Sequence, residues 1–102
     1  MDVVTEKQIA AFAKKHPNAG SGLHKWLDIA KNAKWTSFTK LRESFRHADE
    51  VVVASGRPVV IFNIGGNNYR LITAVHYNRG VVYVMMFLTH AEYDKEKWKD
   101  QL

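Results

Sequence analysis

The stretch Val59-Val60-Ile61-Phe62-Asn63-Ile64-Gly65-Gly66-Asn67-Asn68-Tyr69-Arg70-Leu71-Ile72 decides the fold of this chain. Two runs rich in β-branched and aromatic residues flank a short segment of turn chemistry, which is the pattern of a hairpin. A connection this short makes the two strands antiparallel, since a parallel pair needs a long crossover. Gly65-Gly66 opens no helix, so the dinucleotide-binding and P-loop contexts are both absent, and the pair reads as a turn.

Working outward, Val51-Val52-Val53-Ala54 forms an earlier strand-like run, set off by Ser55-Gly56-Arg57-Pro58. Downstream, the run from Tyr69 to Tyr77 is followed by Asn78-Arg79-Gly80 and then Val81 to Leu88. That connection suits a three-residue hairpin with Gly80 in the left-handed position. The last two strands are apolar on both alternating sets, so both sheet faces are expected to be covered at least in part. One set is Leu71, Val75, Tyr83, Met85 and Phe87, and the other is Ile72, Ala74, Val84, Met86 and Leu88.

Before Asp49 the period is helical. Thr5 with Gln8 fits a capping box, and Ile9, Phe12 and Ala13 form an apolar stripe that ends at Pro17-Asn18-Ala19-Gly20. Ser21 is the expected cap of a second helix, where Leu23, Trp26, Leu27 and Ala30 share one buried face. A third, short helix is expected from Thr36 or Ser37, with Phe38, Leu41 and Phe45 inward, Lys40 outward and Arg42 and Arg46 on the flank. Trp26 and the phenylalanines read as core rather than as a platform for stacking bases. Glu92 to Trp98 suits a helical turn or two at the C-terminal end.

The expected architecture is α+β, a single domain over residues 1–102. Its N-terminal helices pack on a four-stranded, mostly antiparallel sheet, and a short C-terminal helix follows. With 102 residues, 46% of them hydrophobic and twelve of them aromatic, the chain supplies one core and little more. There is no cysteine, which excludes disulfides and thiolate metal sites. The first residues lack the cationic and apolar regions of a signal peptide, and no run reaches the roughly 18 apolar residues of a membrane helix. A cytoplasmic protein with no membrane association is expected.

The net charge of +5 is unevenly distributed. Residues 1–48 hold nine Lys and Arg against four Asp and Glu, whereas residues 49–102 hold six of each. An excess confined to one half favours a polyanionic partner, with salt-dependent phosphate contacts, over an ordinary solvated helix surface.

Two residues stand out as candidates for chemistry. Arg70 lies early in an apolar strand and alternates with Ile72, Ala74 and His76, so it must pair with a carboxylate, reach solvent or face an anion. Glu92 and Asp94 are the carboxylates available to it, and its planar fork also suits a phosphate. His90 follows the final apolar strand in Thr89-His90-Ala91-Glu92-Tyr93-Asp94. It can donate a proton to a leaving 5′ oxygen or take one from a 2′ hydroxyl, or it can be incidental. Tyr93 is placed to stack or hydrogen-bond, and Glu92 and Asp94 to orient His90. His16, His24, His47 and His76 show no spacing that completes a metal site, and no metal or cofactor is expected.

Val60 to Ile72 and Thr89 to Asp94, in this order and separation, resemble the paired motifs of HigB-type toxins of the RelE-like superfamily, and the resemblance extends over about residues 20–98. It implies helices against a curved antiparallel sheet and a toxin of a type II toxin–antitoxin system. The implied activity is ribosome-dependent, metal-independent endonucleolytic cleavage of messenger RNA, in which a 2′ hydroxyl attacks the adjacent phosphate. Arg70 matches the sheet arginine that stabilises charge on that phosphate. His90 matches the acid or base position after the last strand, and Tyr93 falls near the C-terminal aromatic. The implied partner is a cognate antitoxin, commonly a helix-turn-helix protein. Lys31, Lys34, Lys40, Arg42 and Arg46 would hold messenger or ribosomal phosphates.

Two other readings use the same residues differently. A toxin on this scaffold could bind a protein target, as the gyrase-poisoning relatives do. A non-catalytic nucleic-acid-binding module would depend on Lys31, Lys34 and Arg42 but not on His90 or Tyr93.

Overall fold

A computed structural model describes residues Met1–Leu102. At its centre is the expected hairpin, β3 (Pro58–Ile64) against β4 (Tyr69–His76), with Ile61 opposite Ile72 and Asn63 opposite Arg70. Gly65 and Gly66 both have positive φ, 61° and 68°, which is why glycine occupies both turn positions. β2 (Asp49–Val52) pairs antiparallel with β3, and β5 (Val81–Thr89) pairs antiparallel with β4. The β4–β5 connection is a 3-10 turn over Tyr77–Arg79, and Gly80 is left-handed as the hairpin requires.

The sheet has five strands rather than four. The additional strand, β1 (Asp2–Val4), runs parallel to β5 at the sheet edge, giving the order β1-β5-β4-β3-β2. Three residues cannot display a period-two pattern, so this strand is invisible in the sequence. Tertiary contacts position it instead. The Met1 ammonium donates to the carbonyls of Ala30 at 3.2 Å and Ala33 at 2.6 Å, at the negative end of α2 (Gly20–Asn32).

A second correction concerns the alternating sets. The β4–β5 register shifts between Ile72 and Thr73, which pair with Met86 and Val84, so Met85 has no opposite residue. Beyond this bulge the faces exchange: Ala74 lies opposite Tyr83, and Val84 joins Val82 and Leu71 in the helix-side core.

The helices cover one face. In α1 (Glu6–Lys15) Thr5 occupies the cap position without a side-chain bond, and Gln8 N–H donates to the Thr5 carbonyl at 3.2 Å, so the expected capping box does not form. The 3-10 turn Pro17–Ala19 runs directly into α2, which therefore starts before Ser21 and needs no side-chain cap. Leu23, Trp26 and Ala30 are its buried stripe. α3 (Phe38–Ser44) is capped by Ser37, whose hydroxyl accepts from Lys40 N–H. Trp26 packs edge-on against Phe62, and Phe12 stacks on Phe87, so these aromatics are committed to packing.

The other face carries Val59, Ile61, Ile72 and Val53, covered by Trp98 from a terminal 3-10 turn over Lys97–Gln101. The C-terminal helix is shorter and earlier than expected. α4 spans His90–Asp94 because Thr89 and Glu92 form a reciprocal capping box. No helix is long and apolar enough to cross a membrane.

Candidate functional site

The turn Gly65–Asn68 and the start of α4 meet at one end of the sheet, because Tyr69 at the head of β4 pairs with Thr89 at the tail of β5. Arg70 enters this region from the face opposite α1 and α2. It is 9% exposed and forms no ion pair: Glu92 and Asp94 are both bonded elsewhere. Its Nη1 donates to the carbonyls of Asn67 at 3.1 Å and Tyr69 at 3.0 Å, and its Nη2 donates to Asn67 Oδ1 at 2.6 Å. Three of the five guanidinium N–H bonds are thereby committed, all to neutral acceptors, and the charge itself is left uncompensated.

Tyr93 lies over this cation, with the guanidinium carbon 5.5 Å from the ring centre. The ring is stacked on Trp98, centroids 5.2 Å apart, and Trp98 Nε1 donates to the Tyr93 carbonyl at 3.1 Å. Burial pushes the Tyr93 hydroxyl above its ordinary pKa of 10.0, with Asp49 adding to the effect and Lys99 and Arg70 opposing it. The phenol therefore keeps its proton at neutral pH and can donate a hydrogen bond.

His90 is the first residue of α4. Its backbone N–H donates to the Asn68 carbonyl at 2.9 Å, so adjacent residues of one turn hold Arg70 and His90. Its Nδ1 lies 2.8 Å from Asp94 Oδ2, one helical turn on, and Nε2 is left for other partners. Of the two carboxylates expected near His90, Asp94 is the one in contact with the ring. Glu92 is not: its carboxylate accepts from Thr89 N–H at 2.9 Å, which closes the capping box. That bond is the main reason its pKa falls below the ordinary value, with Lys15 and His16 nearby assisting.

The basic residues of the helical half are dispersed. Lys31 pairs with Glu6 at 3.1 Å and shares a hollow with Lys34, Tyr77 and Arg79. That hollow is at the other end of β4 from Arg70, ~23 Å away along seven strand residues. Lys40 pairs with Glu43 at 3.5 Å, while Arg42 Nη2 donates to the Arg46 carbonyl at 3.0 Å. No three His, Asp or Glu side chains converge as a metal site would require.

Three contributors escaped the sequence reading. Asn67 supplies most of the acceptors for Arg70 but reads simply as a turn residue. Trp98, which backs Tyr93, reads as part of a charged terminal helix. The Thr89-to-Glu92 capping box is the third, although Thr-x-x-Glu is its signature.

Comparison with known proteins places the chain in a family. Residues 19–96 match the HigB toxin family, described as the RelE-like toxic component of a toxin-antitoxin system. The matched segment contains Arg70, His90 and Tyr93. Over 95 residues the chain is 25% identical to a protein of Escherichia coli O6:H1 (strain CFT073), mRNA interferase HigB, covering 93% of this chain and 90% of that one.

Proposed function

The chain belongs to the HigB toxin family, and from that premise we propose that it is an endoribonuclease that cuts messenger RNA on the ribosome and is held inactive by a cognate antitoxin. The observation that carries this reading is the nearly buried, carboxylate-free guanidinium of Arg70, set against Tyr93 and held by the turn that also anchors His90.

A 2′ hydroxyl attacks the adjacent phosphorus while the bond to the 5′ oxygen breaks, and negative charge accumulates on the non-bridging oxygens. A cation already fixed by Asn67 needs little reorganisation to stabilise that charge, which is the condition for a large electrostatic contribution. His90, oriented through Nδ1 by Asp94, presents Nε2 for proton transfer, either from the 2′ hydroxyl or to the departing oxygen. Tyr93 donates a hydrogen bond and limits the positions open to the guanidinium. Charge and proton are both handled by side chains, so the step is proposed to need no metal ion. The antitoxin is proposed to be a helix-turn-helix protein that covers this end of the sheet.

The test is expression without antitoxin, with transcript ends mapped during the arrest. Growth stops, transcripts acquire new 5′-hydroxyl ends, and Arg70→Ala removes both effects. Arrest with intact transcripts and a DNA-damage response would instead indicate a protein target such as gyrase.

A further inference from the structure

A cleft of about 510 Å³ lies on the other side of the same turn, bounded by α2, by the segment following α3 and by the tip of the β3–β4 hairpin. Lys25 projects from α2, Arg46 and His47 come from the segment leading to β2, and Gly65 and Gly66 form the third wall. No Asp or Glu lines it. Trp26 closes one side, and its buried Nε1–H has no acceptor.

At Gly22, which lines the cleft, α2 meets the hairpin closely. A Cβ on Gly22 would lie 3.0 Å from Gly65 N and 3.0 Å from Ile64 Cγ2, so only glycine permits this approach. Lys25, Arg46 and His47 are exposed, and none of them is paired with a carboxylate.

We propose that this cleft binds the sugar-phosphate backbone of single-stranded RNA, as a subsite for the substrate strand on one side of the cut. Three side chains that can carry positive charge converge from two segments with no counter-charge, which selects for an anion. The walls are open along the surface and lined by small residues at the hairpin tip, which suits a strand passing through better than a compact ligand. Gly66 is four residues from Arg70, so chain geometry keeps the two within ~14 Å. One strand can therefore cross the turn and engage both. The proposal rests on RNA being the substrate class of the Arg70 site, and it adds the direction that the strand takes from there. Of the residues expected to hold phosphates it keeps Arg46 and leaves out Lys31 and Lys34, and it adds Lys25 and His47.

The test uses the full chain and a 2′-O-methylated single-stranded RNA oligonucleotide, which cannot be cut by attack of a 2′ hydroxyl. Binding is measured against salt for the wild type, for Lys25→Gln/Arg46→Gln, and for Arg57→Gln, which removes one positive charge outside the cleft. The double variant should flatten the slope of log affinity against log salt by about one to two, as expected for lost phosphate contacts, while Arg57→Gln leaves it unchanged. Both altered cleft residues are exposed, so folding is preserved and circular dichroism verifies it. An unchanged slope in the double variant, or equal flattening by Arg57→Gln, overturns the proposal. So does a double variant that binds RNA normally but loses its antitoxin, because the cleft then belongs to a protein partner. Failure of the cleft is distinguishable from failure of the nuclease reading: in the first case Arg70→Ala still abolishes transcript cleavage, and in the second the slope changes although transcripts stay intact.

Discussion

The Arg70 guanidinium lies 5.5 Å from the centre of the Tyr93 ring, with neutral acceptors from Asn67 and Tyr69 and no carboxylate. A salt bridge would have neutralised this cation. A face of aromatic carbon and a cage of carbonyls fix it in place and leave its charge available.

Arg70→Lys separates charge from geometry. Lysine keeps the charge, but it cannot reproduce the planar fork that bonds two carbonyls and the Asn67 amide oxygen together. Transcript cleavage should fall about a hundredfold, the scale expected when an oriented stabiliser of a developing anion is lost. Near wild-type cleavage would show that charge alone is needed and that the Asn67 cage is irrelevant.

Asp94→Asn tests the contact with His90. The amide keeps a hydrogen-bonding group near Nδ1 but removes the carboxylate that lies 2.8 Å from it. Transcript cleavage should fall, by less than the roughly hundredfold expected for His90→Ala. Unchanged cleavage would remove Asp94 from the site.

Thr89 and Glu92 link the site to stability at acid pH. The Glu92 carboxyl is held below its ordinary value of 4.5 in the folded chain, chiefly by Thr89 N–H. Its contribution is therefore present above the unfolded value and is lost as pH falls through the folded one. Thr89→Ala removes the hydroxyl cap and should cost about 1 kcal/mol in chemical denaturation at neutral pH. Glu92→Gln should lose part of the acid dependence seen in the wild type.

Tyr77 provides a check at the alkaline end. Its hydroxyl is buried without a partner, and burial, assisted by Glu50, pushes its pKa up to about 12. Between the unfolded value of 10.0 and that figure the unfolded chain has lost the proton and the folded chain keeps it, so stability declines as pH rises. Tyr77→Phe should reduce this decline, leaving the part that comes from Tyr93, and at neutral pH it should leave stability unchanged or raise it by up to ~1 kcal/mol, since an unsatisfied hydroxyl is removed. A clear loss of stability at neutral pH would show that the hydroxyl has a partner.

The long strands and the helices were legible because their periods are distinct and uninterrupted. Val59 to Ile72 carries strand chemistry around one turn, and Leu23, Trp26, Leu27 and Ala30 mark one face of a helix. The bulge at Met85 was not, because an apolar run reads the same in either register. For the site, Arg70 was conspicuous as a cation among apolar neighbours. Its partner Asn67 was not, since an asparagine beside two glycines fits any turn.

The linear sequence by itself determined the α+β class, the hairpin order, the concentration of positive charge in the first half and the singular position of Arg70, because each is a property of neighbours along the chain. Only the tertiary structure decided that β1 lies parallel to β5, that Asp94 rather than Glu92 holds His90, and that Arg70 rests against Tyr93 instead of a carboxylate. Those outcomes depend on which of several chemically equivalent groups arrives within bonding distance. Packing at the end of the sheet makes that selection, and local pattern does not encode it.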